Sequence, residues 1–281
     1  MTINTVRLYL SITLLYLNLR QGALNMKTIK PKRIPLISID TNPKTIKGQK
    51  EGFLTGILYI APANLSGYNT CGMASIAECI KACLNTAGLG GVYSSIQEAR
   101  IKKARLYFEY REVFMHNIVL DIKKLIARAT KKGFTPLVRL NGTSDIKWEN
   151  VPLTVEGVDY PNIMEVFPNV QFYDYTKIAN RVDIPKNYDL TFSYSGVLKY
   201  QKYVNIAMQN KMRIAVVFRT EKHIPNKFLG LPCISGDNTD IRHIEAGNVI
   251  VALYAKGKAK KDNTGFVVDN PAPVFNLSIA N

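Results

Sequence analysis

Six short, β-rich apolar runs, at Ile57–Ile60, Leu137–Leu140, Val170–Tyr173, Leu190–Phe192, Ile214–Phe218 and Val249–Leu253, constrain the fold of this chain more than any other feature. Each has the length of a strand and the β-branched and aromatic content of one. Stretches with helical periodicity lie between several of them: Ser95–Tyr110, Val113–Lys132 and Leu198–Lys211. In the second, Ile118, Ile122, Leu125 and Ala129 make an apolar stripe that can close on a sheet, and Gly133 supplies a stop. Ser95-Ile96-Gln97-Glu98 has the form of a capping box. Strands alternating with helices predict a parallel sheet in an α/β fold, and six such units predict a (β/α) barrel, partial or complete, as one domain over residues 52–281.

The first 51 residues divide in two. Residues 26–51 are rich in Lys, Thr, Pro and Gly, carry one apolar run at Ile34–Ile39, and read as an N-terminal arm or edge strand. In residues 1–25, Arg7 followed by Leu8–Leu17 has the shape of a hydrophobic leader, but the run is too short to span a bilayer. The favoured expectation is a start called too early, with translation beginning at Met26. That start removes Arg7 and Arg20 and leaves the chain strongly basic.

A chain of 281 residues that is 47% hydrophobic buries a full core without covalent staples, so its four cysteines need a different explanation from a disulfide framework. Three of them, Cys71, Cys79 and Cys83, crowd one segment after the first strand, separated by seven and then three residues. Soft ligands at that density suit an iron–sulfur cluster that keeps one iron open, or a zinc completed by a fourth ligand. On a helical turn Cys79 and Cys83 would share a face, with Cys71 folding back from the loop. Cys233 is the first candidate for a fourth ligand, ahead of His223 and His243. The competing reading is of cysteines as small core hydrophobes.

The apolar runs give way to polar and ionisable residues at their carboxyl ends. Leu140 leads into Asn141-Gly142-Thr143-Ser144-Asp145, Tyr173 into Asp174-Tyr175-Thr176-Lys177, Phe192 into Ser193-Tyr194-Ser195, Phe218 into Arg219-Thr220-Glu221-Lys222-His223, and Leu253 into Tyr254-Ala255-Lys256. In parallel α/β folds the carboxyl ends of the strands are where ligands bind. Asn141, Asp145, Asp174, Lys177 and Lys256 are therefore candidate substrate-binding residues, under the same rim as the cysteine segment. Turn formation alone also accounts for such residues one by one. His116 reads as a helix-face residue, and Trp148 as a lid or a packing residue.

The formal charge of +16 draws anionic partners. Lys256-Gly257-Lys258-Ala259-Lys260-Lys261 could hold phosphates or simply be solvated, and Arg100, Lys102, Lys103 and Arg105 could give one helix a basic face. No Walker loop and no Gly-x-Gly-x-x-Gly occurs, which removes two common nucleotide readings.

Taken together, Tyr68-Asn69-Thr70-Cys71 with Cys79 and Ala82–Gly88, then Ala99-Arg100-Ile101, Val138–Asp145 and Phe172–Lys177, resemble an uncharacterised family encoded by bacteriophages and plasmids. The resemblance runs from about residue 50 to residue 268 and takes in Gly236-Asp237 with Asp240, which adds Asp240 to the candidate substrate-binding set. The chain departs from the family pattern at Gly72, usually proline, and at Glu78, usually glycine. More distantly, a cysteine-bearing loop after the first strand of a partial barrel is similar to the radical S-adenosylmethionine enzymes, whose spacing is three and then two residues. That similarity implies an iron–sulfur cluster and S-adenosylmethionine as cofactors. The expectation is a cytoplasmic, phage-type metal- or iron–sulfur-binding enzyme acting on an anionic small molecule, nucleotide or nucleic acid, with no membrane partner. The alternative is a non-catalytic basic nucleic-acid-binding protein with a structural metal or none.

Overall fold

Eleven strands and five α-helices carry the structure in the computed structural model, which describes residues 33–39 and 43–269. The expected leader or early start in residues 1–25, and residues 26–32 of the arm, lie outside the described residues. In chain order the elements are β1 (Ile37–Ile39), α1 (Pro43–Gly48), β2 (Phe53–Leu58), α2 (Ser94–Glu109), α3 (Arg111–Lys132), β3 (Thr135–Arg139), β4 (Leu153–Val155), β5 (Val158–Tyr160), α4 (Ile163–Val166), β6 (Gln171–Thr176), β7 (Tyr188–Ser193), α5 (Gln201–Gln209), β8 (Ile214–Phe218), β9 (Lys227–Phe228), β10 (Leu231–Ser235) and β11 (Ile250–Tyr254). All six apolar runs become strands, and the Ile34–Ile39 run supplies edge strand β1.

Nine strands form one sheet in the order β1-β2-β3-β6-β7-β8-β11-β10-β9, parallel from β2 through β10, with β1 and β9 antiparallel at the two edges. Among the described residues this sheet is open, which corrects the expectation of a complete barrel: β1 and β9 have one neighbour each and do not pair with each other. The regular strand–helix alternation is corrected as well. α2 and α3 connect β2 to β3, and α5 connects β7 to β8, but the β6–β7 connection is a loop, and the chain from β8 to β11 runs through the β9–β10 hairpin.

The register assigns each residue to a face. Leu54, Leu58, Val138, Leu140, Phe172 and Leu190 pack under Ile118, Ile122, Leu125 and Ala129, the stripe expected on α3. Farther along the same face, Phe192, Ile214, Val216, Phe218 and Ile250 meet Tyr200, Val204 and Ala207 of the α5 region. The three longest helices thus share one face. Each fully buried Leu or Ile there contributes about 1.5–3 kcal/mol. Gly133 closes α3 at φ 69°, its N–H donating to Ala129 and Thr130 carbonyls, as the sequence predicted. The capping box does not form: α2 starts at Ser94 with no side-chain cap, and Gln97 instead exchanges hydrogen bonds with Asn85.

The opposite face carries Leu137, Arg139, Tyr173 and Tyr175, and the irregular segment 236–248 covers it through Asp240 and Ile241. No helix among the described residues is long and apolar enough to cross a membrane.

Edge strand β1 is held by a side chain as well as by its ladder. The buried Asp121 carboxylate of α3 accepts the Leu36 N–H at 2.6 Å and the Ile37 N–H at 3.2 Å. Asp121→Ala should cost about 1–3 kcal/mol, the penalty of stranding buried donors. Amide exchange at Leu36 and Ile37 should accelerate while that of β3 follows only the global change. Unchanged β1 protection would show that the ladder alone holds the strand.

Candidate functional site

The cysteine segment hangs over the carboxyl end of β2 as a chain of turns, not as a helix. Ala74, Ala77 and Cys79 N–H groups donate to the carbonyls of Cys71, Met73 and Ala74. Cys71 N–H closes an Asx turn on Asn69 Oδ1 at 2.9 Å. Glu78 adopts φ 50°, a left-handed conformation that favours glycine.

Two loops are stitched together beneath the thiols. Asp145 N–H donates to Thr70 O at 2.9 Å, Thr143 Oγ1 to Ile60 O at 2.6 Å, and the Cys71 thiol to Thr143 O at 3.9 Å. Gly142 makes this docking possible, because a Cβ there would lie 2.7 Å from Leu58 O. Burial pushes the Cys71 thiol up to about 12, Cys83 to about 11, and Cys79 upward too. Cys79 and Cys83 lie near enough to Lys177 that either thiolate would favour its ammonium form, whereas Cys71 has Cys83 as its cysteine neighbour and no such link to the lysine. Lys177 Nζ is buried, donates to the carbonyls of Ser193 at 2.9 Å and Tyr194 at 2.7 Å, and is lowered to about 8, chiefly by burial.

Asn141, Asp145 and Asp174 are buried and spent on internal bonds. Asp174 accepts Asn141 N–H at 2.7 Å and the Tyr188 hydroxyl at 2.9 Å. Asn141 Oδ1 accepts Ser144 Oγ, Ile146 N–H and Trp148 Nε1, which makes Trp148 a packing residue held from the rim. Asp145 accepts Lys177 N–H at 2.7 Å and Arg181 Nη1 at 3.2 Å, and Arg181 also grips Glu149 through two bonds of 2.8 and 2.6 Å. Arg181, Glu149 and Tyr188 were not among the expected site residues. A buried ion pair leaves no periodic trace in sequence.

The remaining candidates divide. Asp240 pairs with Arg139 on the face without the long helices, whereas Lys256, paired with Asp237 at 2.6 Å, lies between Ala255, which packs with Ala82 and Cys79, and Gly257, which touches Thr86 and Ala87. Cys233 pairs in register with Ile250, the first residue of β11, so it sits toward the amino ends of the strands and away from the cysteine loop. His243 packs edge-on against Phe53 at the start of β2, the same distal rim. His223 follows β8 and bonds Thr220, and His116 is exposed on α3. The basic face expected on α2 is mostly engaged: Arg100 bonds Asn85, Lys103 Nζ bonds Leu36 O and Arg105 Nε bonds Ser66 O. Among the described residues, no three Cys, His, Asp or Glu side chains are already gathered as a metal site.

Residues 36–270 match the family described as gene product 88. The chain belongs to that family, in accord with the phage-type family its motifs resemble. No curated protein and no solved structure matches it.

Burial raises the Asp174 carboxyl to about 7, against the pull of Arg139 and its hydrogen bonds, so this group opposes stability as pH rises. Between its unfolded pKa near 4 and its folded value, the folded state holds a proton the unfolded state has lost, and stability falls across that window. Asp174→Asn, which cannot ionise, should gain on the wild type in melting temperature by about 3–10 °C between pH 4.5 and 7.5. A constant difference between the two melting curves would mean that Asp174 stays ionised in the fold.

Proposed function

We propose that the protein is a metal-dependent enzyme in which Cys71, Cys79 and Cys83 hold an iron–sulfur cluster above the carboxyl edge of the sheet, next to the binding place of an anionic substrate. The observation that carries the reading is the presence of three soft thiols on one loop, with Lys177 near two of them, Cys79 and Cys83. Lysine charge at that position offsets the negative charge that three thiolates bring. The thiols are held protonated by burial, so ligation must displace their protons and draw the side chains closer together. The donor set fits iron–sulfur or zinc chemistry. A cluster held by three cysteines supplies one-electron chemistry and an iron free to take a small ligand, for which S-adenosylmethionine is the compound to test.

The layering supports the same reading. Long helices on one face, and an opposite face without them that carries Arg139 and Asp240 beside Leu137 and Tyr173, are what a partial barrel presents, with its ligand side away from the helices. Lys258, Lys260 and Lys261 are exposed in a turn that packs on Thr86 and Ala87, just after Cys83, and place positive charge beside the loop. That lysine turn also favours the second reading, nucleic-acid binding by a basic protein without catalysis.

Anaerobic purification followed by iron, sulfide and zinc analysis separates the two. The enzyme reading expects about four irons and four sulfides per chain, lost in Cys71→Ala while the fold persists. Stoichiometric zinc or no metal, with nucleic-acid affinity that falls steeply with salt, would replace it with the binding protein.

A further inference from the structure

The face without the long helices holds a second polar centre. Asp240, from segment 236–248, puts its carboxylate into a cradle made by the sheet: Arg139 Nη1 donates to it at 2.7 Å, Tyr173 OH at 3.4 Å and Tyr175 OH at 3.3 Å. The strand pattern makes the cradle. Leu137 pairs with Gln171, so Arg139, two residues on, shares a face with Tyr173 and Tyr175, which alternate along β6. Arg139 lies with its guanidinium 4.8 Å from the Tyr175 ring centre, which fixes its plane. Arg139, Tyr173 and Asp240 are buried. Burial and the nearby carboxylate raise the tyrosines, so both phenols stay protonated and remain donors.

Two features set this contact apart from an ordinary structural ion pair. First, the carboxylate comes from a segment without helix or strand, while all three donors come from the sheet floor. Second, buried polar atoms at this contact go without hydrogen bonds: Arg139 Nε on the floor, 4.0 Å from Asp174 Oδ1, and Arg242 Nε and Glu245 Oε2 in the segment itself, the last 3.9 Å from Arg213 Nε. A permanent core rarely tolerates several such atoms together. Arg242, fully buried, bonds carbonyls of Gly236 and Thr239 and the Glu245 carboxylate, all within the segment, so much of its polar bonding would survive a movement away from the sheet.

We propose that Arg139, Tyr173 and Tyr175 form a receptor for the carboxylate of a ligand, which Asp240 fills in the present state, and that such a ligand enters this face by displacing segment 236–248. Asp240 is then an internal occupant of the substrate side and not itself a substrate-binding residue. The inference does not depend on the thiol centre, and Cys71→Ala should leave its test unchanged.

The test is rescue by a small carboxylate. Asp240→Ala strands Arg139, and in sodium chloride it should melt roughly 5–10 °C below the wild type. Sodium acetate at the same ionic strength should restore most of that loss by occupying the vacated cradle. The wild type and Arg139→Met/Asp240→Ala should show no comparable preference for acetate. Equal melting of Asp240→Ala in acetate and chloride overturns the proposal, and rescue by inorganic phosphate but not acetate overturns the carboxylate assignment. If Asp240→Ala does not fold, the wild type decides: amide exchange in 236–248 should rise at least about threefold in acetate over chloride, with β3 and β6 unchanged, and equal exchange overturns the proposal.

Discussion

Asp174 is a carboxylate buried in the middle of a parallel sheet, and the carboxyl edge of that sheet is organised around it. It receives the Asn141 backbone N–H from the loop after β3 and the Tyr188 hydroxyl from β7, while standing on β6 itself. Three neighbouring strands are tied at one point. Tyr188 passes the connection to Arg181, Arg181 to Asp145 and Glu149, and Asp145 to Thr70 beside Cys71. On the other face, Arg139 lies between Asp174 and Asp240. Such a chain of buried polar groups is worth having only when nearly every member is satisfied, and then it fixes one geometry. The cysteine loop, which has no regular structure of its own, is tied to this network at Thr70 and held farther along by Ser195 Oγ, which donates to Ala77 O.

The strands were legible in the sequence because each is a short β-rich run, and the run Ile214–Phe218 matches β8 residue for residue. The barrel was overdrawn because six runs with helical stretches between several of them were counted as six strand–helix units. The β6–β7 connection contains Pro185 and no apolar period, so it stays a loop. β10 lies outside the six runs and carries Pro232, a residue that disfavours strands. It is tolerated there because β10 lies next to the short edge strand β9. The β4–β5 hairpin was readable in principle: Glu156 and Gly157 both take positive φ, the signature of a tight two-residue turn between Leu153–Val155 and Val158–Tyr160.

The candidate site was half legible. Three cysteines in one short segment point to a shared neighbourhood, and the structure keeps all three in one run of turns after β2, with Lys177 near Cys79 and Cys83. The strand-end carboxylates looked like ligand contacts, yet Asp145 and Asp174 face arginine, tyrosine and backbone donors inside the protein. Pairings such as Arg139 with Asp240 or Arg181 with Asp145 join residues far apart in sequence, which no local pattern encodes. The excess positive charge is not consumed by the core. Arg139, Arg181, Arg213 and Arg242 are buried against carboxylates that the net charge already subtracts, so the excess rests on other groups, the exposed Lys258, Lys260 and Lys261 among them.

X-ray absorption at the metal edge of protein purified without air tests the thiol-bound metal centre proposed for this edge. Sulfur neighbours at about 2.3 Å are expected, with the sulfur signal lost or rearranged in Cys79→Ala. A metal surrounded only by nitrogen and oxygen, or a sulfur environment indifferent to that substitution, would rule the centre out.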